Sequence, residues 1–67
     1  MTDRELKQIV FIRVCRDSGF NMNFIDAAIL TANVLNCHPM DIWVSIGGFN
    51  NMKSIALGNH PMYFKGV

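Results

Sequence analysis

Signals that end one helix and start the next recur so closely along this 67-residue chain that only short elements fit between them. Gly19 follows Ser18, Asn36 stands three residues before Pro39, Gly47 and Gly48 are adjacent, and Gly58 closes the last regular stretch. Glycine and asparagine tolerate the left-handed conformation that ends a helix. Proline suits the first helical position, where its missing N–H would be unpaired anyway.

The starts are equally legible. Thr2-Asp3-Arg4-Glu5 reads as a capping box, the Thr2 hydroxyl accepting from the Glu5 N–H while Glu5 reaches back. Over 3–18, Leu6, Ile9, Val10, Arg13, Val14 and Asp17 follow at helical spacing. The β-branched stretch 9–14 would also suit a buried strand, but the length between caps decides for a helix. Asn23, with Asp26 three residues on, is the next N-cap. Over 24–36, Phe24, Ile25, Ala28, Ile29, Ala32 and Leu35 form an apolar stripe, which Ala27, Leu30 and Val34 extend around most of the circumference. Asp26, Asn33 and Asn36 leave only a narrow polar strip, as in a helix that is central or lies at an interface. Two shorter helices are expected over 39–46 and, capped by Asn50, over 51–57, followed by an irregular tail over 58–67. The reading is a single small all-α domain over 1–67, a compact bundle of three to four short helices.

A chain this short builds a core worth only ~3–5 kcal/mol, yet 51% of its residues are apolar. Some of them must stay outside, and a self-complementary homodimer is the obvious remedy. The net charge of +1 gives no general reason to expect nucleic acid or an anionic membrane as partner. Arg4, Lys7, Arg13 and Arg16 do cluster early, but Asp3, Glu5 and Asp17 interleave with them, as on a solvated helix face. The N-terminus lacks a basic stretch leading into an apolar run, and no segment approaches the ~18 apolar residues of a membrane span. The expectation is a cytoplasmic protein in which Cys15 and Cys37 are reduced thiols.

The tripeptide His38-Pro39-Met40 recurs as His60-Pro61-Met62. A metal reading would take Cys37, His38 and His60, with Cys15 or Asp41 as fourth ligand, because thiolate and imidazole suit zinc. The spacing argues against it: Cys37 and His38 are adjacent, His60 stands alone, and no Cys-x-x-Cys or His-x-x-x-His pair is present. No metal or other cofactor is expected. Punctuation is sufficient: a residue before proline is held extended where one helix ends and the next begins, and the His38 ring can satisfy an orphan N–H.

Residues 24–46 fit a helix-turn-helix-like arrangement. Ala32 is the small residue of the first helix, Asn36 takes the left-handed position, Cys37 sits behind the turn, and Ile42 anchors the second helix. DNA-binding versions present basic or amide side chains from that second helix. Here it reads Pro39-Met40-Asp41-Ile42-Trp43-Val44-Ser45-Ile46, with one acidic residue and no basic one. Met40, Trp43 and Val44 are read as an outward face suited to a protein partner, tryptophan being a favoured anchor. Trp43 as a filler of the small core is the other reading. A DNA-binding transcriptional regulator, with Arg13, Arg16 and Lys53 on phosphates, is the alternative function.

No catalytic arrangement stands out: the serines lie in no nucleophile motif, and Gly47-Gly48 lacks the following lysine of a phosphate loop. In size and all-α style the chain resembles the small accessory proteins of temperate, lambda-like phages. That resemblance implies a non-enzymatic regulatory module, of phage or bacterial origin, that acts by binding another protein.

Overall fold

The structure, a computed structural model, describes residues 2–59. Expectations for 60–67, the second His-Pro-Met copy and most of the irregular tail, lie outside the described residues. The chain forms α1 (Asp3–Asp17), α2 (Phe24–Leu35), α3 (Pro39–Ile46) and α4 (Phe49–Ala56), with no strand among the described residues. The expected all-α bundle is therefore what the chain builds, and each helix packs against the other three within an envelope of 25 × 23 × 20 Å.

Local chemistry sets the boundaries. Thr2 Oγ1 accepts from the Glu5 N–H at 3.1 Å, and Asn23 Oδ1 accepts from the Ile25 N–H at 2.8 Å. The reciprocal arm of the first cap is different from the one expected: the Thr2 hydroxyl donates to Glu5 Oε1. At the other ends, Gly19, Asn36 and Gly58 all have positive φ, and each is followed by an N–H that reaches five residues back. In α2 the bonds are Cys37 N–H to the Ala32 carbonyl at 2.9 Å and Asn36 N–H to the Asn33 carbonyl at 3.3 Å. This paired closure satisfies carbonyls that the helix itself leaves free.

The fourth helix begins earlier than the sequence suggests. It starts at Phe49 rather than Asn51, and its N-cap is Gly48 rather than Asn50. Gly47 and Gly48 both have φ near 100°, so the chain reverses within two residues. Asn51 is then free to turn back, donating from Nδ2 to the Ile46 and Gly47 carbonyls at 3.2 and 3.4 Å. The Ser45 carbonyl is met from α1 by Gln8 Nε2 at 2.9 Å and Arg4 Nε at 3.3 Å.

The core joins Phe11, Ile12 and Cys15 of α1 to Ile42 and Ile46 of α3 and to Met52, Ile55 and Ala56 of α4. The face that α1 buries is thus offset from the periodic set Leu6, Ile9, Val10, Arg13, Val14 and Asp17, of which Leu6, Arg13 and Asp17 are exposed. The buried side chains of α2 are all small, Ala27, Ala28, Thr31 and Ala32, while Phe24 and Leu35 pack half-buried against the core at its two ends. Small residues let backbones approach closely. Thr31, fully buried, donates its hydroxyl to the Ala27 carbonyl at 2.7 Å and so carries no unmet polar group inside.

Candidate functional site

Because the middle of α2 turns its small side chains inward, four of its larger ones are left outside. Ile25, Ile29, Leu30 and Val34 are all exposed. On a helix of 3.6 residues per turn, Ile25 and Ile29 lie on one flank of the inner face and Leu30 and Val34 on the other. Asp26 and Asn33, both exposed, separate the two flanks.

The Ile25/Ile29 flank borders a groove of about 210 Å³ between α2, α3 and α4. Ile25, Ala28 and Ile29 form its α2 wall; His38, Pro39, Met40 and Trp43 form the α3 wall; Phe49 and Met52 close it from α4. Its shape rests on an aromatic cluster. The Trp43 and Phe49 rings stack at 4.4 Å with planes 11° apart, and Phe24 meets Phe49 edge-on at 5.8 Å and 66°. Phe49, although half exposed, is held by both neighbours.

His38 has a backbone task at the groove's edge. Its Nδ1 accepts from the Met40 N–H at 3.0 Å, so the ring is the N-cap of α3, immediately before Pro39. At the same turn Asn36 takes φ 55° and ψ 50°, Ala32 is buried, Cys37 is half-buried against the core, and Ile42 is fully buried. Every position assigned to the helix-turn-helix-like geometry is filled as expected.

Of the face read from sequence, Met40 and Trp43 line the groove. Val44 is strongly exposed one turn beyond Met40 and is not part of the lining. Trp43 is half-buried, packing against the core with one side and walling the groove with the other, so it is neither wholly core nor wholly outward. Ile25, Ile29 and Phe49 were not singled out from sequence as parts of a site. The only local hint was the pair of isoleucines four residues apart, opposite Ala27 and Thr31.

The metal candidates are dispersed. Cys15 lies in the core, Cys37 behind the turn, His38 on the cap, Asp41 is exposed, and His60 is outside the described residues. No group of three or more potential ligands comes together among the described residues. Burial pushes the Cys15 thiol up to about 11, as expected of an inert core thiol rather than a ligand or nucleophile. Both cysteines are free.

Of the phosphate-contact candidates, Arg13 is exposed and Arg16 half-buried on α1, while Lys53 is exposed on α4. None lies on α3, whose exposed side chains are Met40, Asp41 and Val44. Lys7 of α1 forms an ion pair with Asp3 at 2.6 Å, and that hydrogen bond, above all, raises its pKa. No described helix is long and apolar enough to cross a membrane. Comparison with known protein families, with curated proteins and with solved structures gives no match.

Proposed function

We propose that this chain is a non-enzymatic interaction module of a regulatory kind, working as a homodimer and engaging another protein. The observation that carries this reading is the groove between α2, α3 and α4, in which stacked Trp43 and Phe49 stand beside Ile25, Ile29 and Met40. Half-exposed aromatic and aliphatic side chains around a hollow are the usual make-up of a protein-contact hot spot. The hollow's ~210 Å³ falls below the ~300–1,000 Å³ of small-molecule sites, and His38, its main polar member, already uses Nδ1 as a cap. It suits one or two side chains of a partner protein better than a cofactor. A cytoplasmic setting accords with two unpaired thiols. Phage or bacterial origin, taken from the resemblance to phage accessory proteins, belongs to the same proposal.

The test uses Met40→Lys, chosen because Met40 is exposed and its loss leaves the core intact. A complex recovered from native host extract with the unaltered protein should be lost with Met40→Lys, while the helical circular-dichroism signal stays the same. Equal recovery with both proteins would remove the groove from the reading.

The helix-turn-helix-like geometry of α2 and α3 favours one rival, a DNA-binding regulator. Against it stands the exposed α3 face of Met40, Asp41 and Val44, which would bring a carboxylate toward phosphates and release no counterions. A gel shift on duplex DNA in low salt, abolished by Arg13→Ala with Arg16→Ala, would establish the rival in place of the interaction module.

A further inference from the structure

The occupant of the groove can be narrowed by area and charge. We infer that, in the absence of another protein on this face, a second copy of this chain covers it, in a two-fold contact that sets the α2–α3–α4 face of one copy against the same face of the other. This inference rests on the homodimer reading above and assigns it a surface.

The first argument is size. At roughly 200 Å² for a fully exposed large side chain, the exposures of the groove residues Ile25, Ile29, Met40 and Phe49 (51, 44, 48 and 52%), with Val44 (68%) one turn beyond Met40 outside the lining, leave on the order of 500 Å² of apolar surface. A standard contact buries ~800 Å² per partner, about 65% of it apolar in homodimers, which again gives on the order of 500 Å². One copy therefore offers about the apolar area that its own kind of contact needs.

Shape and charge agree. A two-fold contact must be self-complementary, so the patch has to contain both hollow and projection. Here half-exposed Ile29 and Phe49 stand at the walls of the hollow they border. No lining residue carries a carboxylate, ammonium or guanidinium group, and a net charge of +1 leaves little repulsion between copies. The inverted build of α2 points the same way. A helix that keeps alanines for its own core and sets isoleucines outside gains their burial only from a partner.

Ile29→Arg and Leu30→Arg provide the test, since the two residues are equally exposed on opposite flanks of α2. Sedimentation over a concentration series should show a monomer–dimer equilibrium for the unaltered protein. Ile29→Arg should weaken it by ~30-fold or more, and Leu30→Arg should leave it within about threefold. Trp43, the only tryptophan, reports independently: its emission should shift to the blue as the unaltered protein dimerises and stay constant in Ile29→Arg. Should Ile29→Arg fail to fold, Met40→Lys on the facing wall makes the same measurement. Dissociation by Leu30→Arg but not Ile29→Arg would overturn the surface and leave the homodimer standing. A strict monomer up to about 1 mM would overturn both, without touching the binding of a different protein.

Discussion

The two faces of α2 follow opposite rules. The middle of its inner face is built of Ala27, Ala28, Thr31 and Ala32, with Phe24 and Leu35 half-buried at the two ends, and its outer flanks are Ile25, Ile29, Leu30 and Val34. Ranked by hydrophobicity, the isoleucines and leucine should be inside. They are not, because the position of α2 is fixed by how closely it must approach its neighbours. Three other helices meet it, and alanine is the apolar side chain that permits short approach to all of them. The lesson is that, in a bundle this small, volume decides which side chains fill the middle of a helix contact and leaves larger ones exposed.

The contrast yields graded expectations. Enlarging the inner face should cost most: Ala32→Leu should lower unfolding free energy by about 3 kcal/mol, read from the shift in urea midpoint. A cost below ~0.5 kcal/mol would mean the inner face has slack and size is not what selects it.

Next comes Cys15, part of the same core cluster. Its folded pKa is raised by burial from 9.0 to about 11, so the folded state holds the proton more tightly than the unfolded chain. The stability it contributes is fully present below pH 9 and is lost as pH rises through about 11. Between those limits the unaltered protein should lose roughly 2–3 kcal/mol more than Cys15→Ala does. Parallel pH profiles for the two proteins would show that the thiol is less enclosed than its burial implies.

Thr31→Val keeps the shape of the inner face and exchanges a hydroxyl for a methyl group. The Ala27 carbonyl is also a backbone acceptor within the helix, so the change should stay within about 1 kcal/mol. A larger loss would make polarity, and not volume alone, a determinant of that face. Val34→Ala on the outer flank should do least, within ~0.5 kcal/mol at protein concentrations low enough to exclude self-association.

Much of the fold was legible because helix ends are local chemistry. Thr2, Asn23, Asn36 and the His38-Pro39 start each act within five residues, so the sequence alone displays them. The start of α4 was misplaced because it depends on two successive positive-φ glycines and on an Asn51 side chain turned backward, a combination that short-range capping patterns do not register. The buried face of α1 was not assigned from sequence, for another reason. Apolar residues nearly encircle the 9–15 stretch, and only contact with the other three helices chooses Phe11, Ile12 and Cys15. In the candidate site, Met40 and Trp43 were visible because they share one helix. Ile25, Ile29 and Phe49 reach them only through tertiary packing, so no sequence spacing joins the set.

The two α1 side chains on the Ser45 carbonyl bear on how the molecule forms. α3 has eight residues, well under the ~12–15 at which an isolated helix becomes even marginal in water. Its last turn is met by Gln8 and Arg4, 37 and 41 positions earlier in the chain. The chain must therefore close a long loop before that turn is secured, and it loses entropy in doing so before any reward arrives. The bundle should fold more slowly than its short connections suggest. Amide exchange near Ser45 should then follow global unfolding instead of the local fraying usual at a helix end.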